Sequence, residues 1–209
     1  MNKIALRFAP LLLIASIGPA WAIDPASFAS LKQGGHVIIF RHVATDDSQK
    51  DIYPFRFDDM KAQRQLSDKG RSAARAIGAS LKTLGVPLGE IYTSRLNRAV
   101  ETGKLLADKD VIPRDELTDS GAGSASKMAN PDGDNEKIGR AIRDLVNNAP
   151  KAGANNVVVT HKTNVADAFG KDFADVQEGE ALVYRPAASG PVLVVRVKAD
   201  AWQTDVASK

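Results

Sequence analysis

Two short, largely apolar runs in this chain each end in a histidine. The first covers residues 37–40 and is followed by Arg41 and His42, and the second covers residues 157–160 and is followed by His161. Apolar runs of this length, rich in β-branched residues, predict strands that are buried on both faces. Polar residues at the carboxyl ends of such strands lie where open α/β sheets bind ligands. The chain has only three histidines, so two at equivalent strand ends indicate a functional site.

The remaining pattern alternates between helices and strands. Apolar residues at helical spacing predict an amphipathic helix at 68–84, which Gly85 and Pro87 end. The other predicted helices cover residues 23–35, 94–106, 138–146 and 164–169, and the other predicted strands cover residues 90–93, 111–117, 181–184 and 192–197. This alternation predicts an α/β fold, a three-layer α/β/α sandwich with a central, mostly parallel sheet.

Two polar connections interrupt the alternation. Residues 45–64 form a long connection, and a connection of this length within a domain is usually functional. Its alternating segment 53–57 is compatible with an edge strand, although Pro54 argues against one. Residues 120–135 are rich in Gly, Ser, Asn and Asp, which predicts a flexible loop.

The N-terminal segment has the features of a secretory signal peptide in their usual order. Lys3 and Arg7 precede an apolar run at 11–17, and small residues flank Trp21 at the expected cleavage site. We therefore predict a signal peptide at 1–22, too short to span a bilayer; the alternative is a buried N-terminal helix. Residues 23–209 would form a periplasmic or secreted domain, with no stable membrane insertion after cleavage.

Composition narrows the possible chemistry. The chain has 209 residues, 44% hydrophobic and 25% charged, as expected for one globular domain. The formal charge of +3 includes Lys3 and Arg7 of the signal, so it gives no reason to expect a nucleic-acid partner. The absence of cysteine excludes thiol catalysis and cysteine metal ligands. The sequence leaves the oligomeric state open.

A histidine at a strand end is a candidate nucleophile, general base or metal ligand, or a structural residue that caps the strand. Asp46 and Asp47 follow His42 closely, but no His-x-x-His or His-x-Asp spacing occurs. Arg41 would also repel a cation, so we predict no metal and no other cofactor. An arginine beside a reactive histidine suits an anionic substrate such as phosphate, because one guanidinium can donate two parallel hydrogen bonds to phosphate oxygens.

Arg98 is a second candidate for binding an anion. The pattern places it on the first turn of a helix that follows Thr93 and Ser94, and helix N-termini attract anions. The alternative is an exposed helix arginine that pairs with Glu101 or Glu116.

Four motifs occur in a recognisable order: RHVAT from Arg41, QLSDKGRSAARAIG from Gln65, YTSRLNRAVETG from Tyr92, and VVVTHKTN ending at Asn164. Together they resemble the histidine phosphatase superfamily, the phosphoglycerate-mutase-like enzymes. The resemblance runs from 37 to 164, and residues 179–183 resemble the family's Gly-Glu-Ala-x-Val strand.

The resemblance implies a role for each motif. His42 would attack phosphorus and form a phosphohistidine, while Arg41, Arg98 and His161 would bind the phosphoryl oxygens and stabilise the transition state. His42 must be neutral to attack and His161 is more useful protonated, so we expect their surroundings to separate the two pKa values. The remaining predicted substrate contacts are Thr45, Arg95 and Lys162.

A general acid is also required for the leaving group. In the family a carboxylate supplies it from the loop after the next strand, and Glu116 fits that context best. The alternatives are Asp115, Asp119 and the more distant Glu136.

The chain departs from the family at Val43, where glycine is usual, and at Arg95, where proline is common. It also lacks a large insertion between Glu116 and His161, where bigger members build a substrate lid. We therefore expect an exported phosphomonoesterase acting on a small phosphorylated molecule, such as a sugar phosphate of the cell envelope. The alternatives are a phosphotransferase or mutase of the same family, and a catalytically silent phosphate-binding domain with Val43 as the sign of decay.

Overall fold

The computed structural model describes residues 25–118 and 134–204, so the predicted signal peptide and Asp119 lie outside it. The strands are β1 Val37–Arg41, β2 Leu88–Thr93, β3 Ile112–Pro113, β4 Asn155–Thr160, β5 Ala181–Arg185 and β6 Val192–Val197. The helices are α1 Pro25–Gln33, α2 Asp68–Thr83, α3 Asn97–Ala107, α4 Asp134–Asn147, α5 Lys162–Phe169 and α6 Ala201–Thr204. Among the helices of these two ranges, none is long and apolar enough to cross a membrane.

All six strands form one sheet in the order β3-β2-β4-β1-β5-β6. The pairs β1–β4, β4–β2 and β2–β3 are parallel, and β5 runs antiparallel to both of its neighbours. Because only β5 is reversed, the prediction of a mostly parallel sheet is confirmed. Arg41 is paired with Thr160 at the carboxyl ends of β1 and β4, so His42 and His161 leave the sheet side by side.

Helices cover both faces of the sheet, which confirms the three-layer prediction. Ile38 and Phe40 of β1 contact a core that includes residues of α1, α2, α3 and α6. Val37 and Ile39 point the other way, into a core that includes residues of α4 and α5. This division follows from the strand itself, in which successive side chains face opposite sides.

Two segments differ from the predicted elements. The predicted strand 111–117 pairs with β2 only at Ile112–Pro113. The Arg114 N–H still donates to the Thr93 carbonyl at 2.8 Å, and the chain then turns into a 3₁₀ helix at Asp115–Leu117. The segment 53–57 forms a loop rather than an edge strand. Its carbonyl groups are bonded instead by the side chain of Gln63, which donates to Arg56 and Phe57.

The start of α2 is docked against the segment that follows His42. Ser67 caps the helix by accepting a hydrogen bond from the Gly70 N–H at 3.1 Å, and its own N–H and hydroxyl donate to the Ala44 carbonyl. A Cβ atom at Gly70 would lie 2.0 Å from the Ala44 carbonyl oxygen. Glycine is therefore required at this position for the close approach of helix and loop.

Candidate active site

The structure brings the two predicted histidines into direct proximity at the carboxyl edge of the sheet. The ring centroids of His42 and His161 are 5.3 Å apart, and each residue is only 3% exposed. The third histidine, His36, lies at the opposite end of β1, where its ring is 3.1 Å from the Ser30 hydroxyl. His42 and His161 therefore form the centre of the candidate site.

The hydrogen bond of His42 identifies its reactive nitrogen. His42 Nδ1 lies 2.9 Å from the Val43 carbonyl oxygen, and a carbonyl can only accept a hydrogen bond. Nδ1 therefore carries the proton in the neutral ring, and Nε2 holds the lone pair that a nucleophile needs. Val43 itself is 1% exposed and is not among the described residues with positive φ, so its side chain fits without backbone strain.

The surroundings of both histidines favour the neutral ring. Burial lowers the pKa of His42 well below its usual value, the Arg98 charge lowers it further, and the bond to Val43 partly opposes this. Burial and then Arg98 also lower the pKa of His161, with a smaller contribution from His42. Both environments thus shift the pKa in the same direction and do not by themselves favour a protonated His161, and the expected separation of the two pKa values stays a prediction.

Arg98 lies inside the site rather than on the helix surface. It is the second residue of α3, it is 2% exposed, and its Nη1 is 2.9 Å from Asp51 Oδ1. Glu101, one proposed surface partner, is bonded to Arg71 instead. The alternative of an exposed arginine is thus wrong, and the Arg98 charge acts on both histidines.

Arg41 and Thr45 approach the site from the side of β5. Arg41 donates to the Val176 carbonyl at 2.9 Å and to Glu178 Oε1 at 3.3 Å. Thr45 is buried and donates to the same carboxylate at 3.4 Å. Desolvation lowers the pKa of Arg41 and the charge of Glu178 opposes this, so Glu178 is a counter-charge for this arginine.

Four functional candidates escaped the sequence analysis: Ser94, Asp51, Arg64 and Glu178. The Ser94 hydroxyl is 2.8 Å from His161 Nε2, and its place directly after β2 was a signal that could have identified it. Arg64 adds positive charge that lowers the pKa of both histidines. Asp51 and Arg64 lie in the long polar connection, where no periodicity marked them.

The three candidate acids that the structure describes each pair with an arginine. Glu116 Oε1 accepts hydrogen bonds from Arg114 at 2.8 and 2.9 Å. The other pairs are Asp115 with Arg95, and Glu136 with Arg140 and Arg143. Asp119 lies outside the described residues, so the role of Glu116 remains a prediction.

The other predicted substrate contacts lie at the rim. Arg95 is bonded to Asp115, and its guanidinium lies 4.0 Å from the ring centre of Phe57. Lys162 is the exposed first residue of α5. In the part of the chain that the structure describes, no group of three His, Cys, Asp or Glu side chains is arranged to hold a metal ion.

A cavity opens beside these charged groups. Its volume is about 490 Å³, and its lining includes Asp51, Arg64 and the aromatic side chains of Tyr53 and Phe55. Because Asp51 contacts Arg98, this cavity adjoins the candidate site, and its volume is in the range of small-molecule pockets.

Three solved structures share the fold, each at 16% sequence identity, which by itself shows only the fold. The protein histidine phosphatase SixA complexed with tungstate has a TM-score of 0.55 and covers 78% of this chain and 97% of its own. Phosphoserine phosphatase from Entamoeba histolytica with 3-phosphoglyceric acid has a TM-score of 0.53 over 78% and 96%. The mycobacterial glucosyl-3-phosphoglycerate phosphatase with VO3 has a TM-score of 0.53 over 78% and 98%.

Sequence comparison gives the family. No curated protein sequence matches the chain significantly, but the family model of the histidine phosphatase superfamily (branch 1) matches residues 37–137. That match includes Arg41, His42 and Arg98, and in the structure His161 directly follows the neighbouring strand β4. The family-model match, the motifs and the fold together identify residues 37–137 as part of a histidine phosphatase superfamily domain.

Proposed function

We propose that this protein is a phosphomonoesterase that hydrolyses its substrate through a phosphohistidine on His42. Membership of the histidine phosphatase superfamily supports a phosphatase-type activity. The single observation that carries the proposal is the bond from His42 Nδ1 to the Val43 carbonyl. This bond keeps the proton on Nδ1 and leaves the Nε2 lone pair for attack on phosphorus.

The first step transfers the phosphoryl group to the enzyme. The Nε2 lone pair forms a P–N bond while the P–O bond to the leaving group breaks, and the leaving oxygen takes a proton. Arg98 and Arg41 supply positive charge beside the phosphoryl oxygens, which stabilises the transition state. A dianionic substrate would also favour the protonated form of His161.

The second step returns the enzyme to its starting state. A water molecule attacks the phosphohistidine, the P–N bond breaks, and the water gives up a proton as inorganic phosphate leaves. The same carboxylate that protonated the leaving group would accept this proton, and Glu116 remains our candidate for it.

The proposed substrate is a small phosphorylated alcohol, such as a sugar phosphate of the cell envelope. The cavity beside Arg98 supports this proposal, since Tyr53 and Phe55 offer aromatic surface and Asp51 offers a hydrogen-bond acceptor. The proposed location is the periplasm or the extracellular medium, and it rests on the signal-like sequence of residues 1–22. N-terminal sequencing of exported protein should start at Ile23; an intact N-terminus would contradict export by this signal.

Trapping the intermediate tests the reaction. The purified protein is mixed briefly with a labelled phosphomonoester, quenched in alkali and digested, and we expect an acid-labile, base-stable label on His42. The variant His42→Asn should carry no label, whereas the matched variant His36→Asn should keep it, because His36 lies at the other end of β1. Label on serine or aspartate, or full turnover by His42→Asn, would overturn the proposal. Transfer of the label to an added alcohol rather than to water would indicate a phosphotransferase.

A further inference from the structure

Asp51 is a carboxylate at the centre of a cationic site. Its Oδ1 atom accepts a hydrogen bond from Arg98 Nη1 at 2.9 Å and another from the Arg64 main-chain N–H at 2.9 Å. The side chain of Arg98 is 2% exposed and that of Asp51 16% exposed. Charge-assisted hydrogen bonds that are shielded from water in this way are among the strongest hydrogen bonds in proteins. Asp51 is therefore built into the site and is not an incidental surface partner.

The segment that carries Asp51 is fixed on both sides. The N–H of the next residue, Ile52, donates to the Ala62 carbonyl at 2.8 Å. Gln63 is fully buried, and its side-chain oxygen accepts a hydrogen bond from the Asn97 N–H at 2.8 Å. Asn97 is the first residue of α3 and directly precedes Arg98. The connection is thus attached to the same helix turn whose arginine Asp51 contacts.

We propose that Asp51 is a positioning residue that fixes the guanidinium of Arg98 for binding the phosphoryl oxygens. This inference rests on the proposed function. An arginine side chain has several rotatable bonds, and a fixed acceptor on one edge restricts the orientation of its planar fork. Hydrogen-bond donors contribute most to catalysis when they are held in place before the transition state forms. Asp51 acts through Arg98 and does not contact the reacting atoms.

Two substitutions separate this role from acid–base chemistry. Asp51→Asn keeps an oxygen that can accept from both Arg98 and the Arg64 N–H, but it removes the carboxylate. Asp51→Ala removes the acceptor altogether. Misplacing a catalytic group by about 1 Å costs on the order of 10²-fold in rate, so Asp51→Ala should lose roughly that much kcat. Asp51→Asn should stay within about tenfold of wild type by the same argument.

Affinity for inorganic phosphate gives a readout that does not depend on turnover. Titration calorimetry should show weaker phosphate binding in Asp51→Ala, by about tenfold, and no weakening in Asp51→Asn, whose lost negative charge favours an anion. The matched control is Asp58→Ala, which removes an exposed aspartate from the same connection and should leave both kcat and phosphate affinity unchanged. Thermal unfolding of each variant shows whether it is folded.

A double-mutant cycle identifies the residue through which Asp51 acts. If Asp51 acts through Arg98, then Asp51→Ala should cost nothing further in an Arg98→Lys background, because residues in one network are not additive. Three outcomes would each overturn the inference. The first is that the losses of kcat in the two single variants add in the double variant, and the second is an equal loss of kcat in Asp51→Asn and Asp51→Ala. The third is wild-type kinetics and phosphate affinity in Asp51→Ala. If the wild type hydrolyses no phosphomonoester, the proposed function fails, but phosphate titration still tests the link between Asp51 and Arg98.

Discussion

Acidification should destabilise the folded protein through its two active-site histidines. Burial and the Arg98 charge lower the pKa of both His42 and His161 in the folded state. In the unfolded chain a histidine titrates near 6.5, so below that pH the unfolded state binds more protons than the folded one. The free energy of unfolding therefore falls as the pH falls. Each histidine that stays neutral in the folded protein contributes a loss of about 1.4 kcal/mol between pH 7.5 and pH 5.5, and the pair about 2.7 kcal/mol.

Urea unfolding in phosphate-free buffer at these two pH values measures this loss. Carboxylates elsewhere also titrate, so the informative quantity is the difference between wild type and the variants His42→Gln and His161→Gln. Each single variant should lose about 1.4 kcal/mol less than wild type on acidification. Adding inorganic phosphate should stabilise the wild type at both pH values, since a ligand that binds only the folded state favours it. An identical pH dependence in wild type and both variants would refute the argument that these histidines are held neutral.

Two further predictions concern Glu116 and Gly70. If Glu116 is the general acid, Glu116→Gln should slow the first step on a sugar phosphate by ~10²–10⁴-fold and on p-nitrophenyl phosphate far less. Burst kinetics measures the rate of that step. Equal rate losses on both substrates would show that Glu116 is not the general acid and only contacts Arg114. Gly70→Ala should lower the unfolding free energy by about 1–3 kcal/mol through overpacking against the Ala44 carbonyl, measured by urea unfolding beside the exposed control Lys69→Ala. An unchanged or higher stability of Gly70→Ala would contradict the close contact.

The centre of the fold could be predicted because its signals are local. Strands β1 and β4 are continuous apolar runs, and a short run of this kind is typical of a strand that is buried on both faces of a sheet. In the structure Arg41 is paired with Thr160, so the two histidines that directly follow these residues lie at one edge of the sheet, as their positions at strand ends predicted. Arg98 was predicted as an anion-binding residue by its place at a helix start, and the structure shows it buried beside the histidines.

The rest of the site depends on contacts between distant parts of the chain. Asp51 and Arg98 are 47 positions apart, and the polar connection that holds Asp51 has no periodicity to predict its path. Gln63 illustrates the difficulty, because a polar residue in a predicted loop is fully buried and bonded to the start of α3. The predicted strand 111–117 was too long for a different reason: charged residues follow Pro113, and the chain turns there into the 3₁₀ helix Asp115–Leu117.

Val43 stands where the family usually has glycine, and the structure shows how a valine is accommodated there. The glycine usual at this position could take positive φ, but Val43 is not among the described residues that do. Its carbonyl still binds His42 Nδ1, and its N–H donates to the Thr102 hydroxyl at 3.4 Å. Thr102 in turn donates to the main-chain carbonyl of Arg98 at 2.6 Å. One short chain of bonds thus joins the candidate nucleophile to the turn that carries Arg98, so a valine at this position is compatible with the hydrogen bond that orients His42.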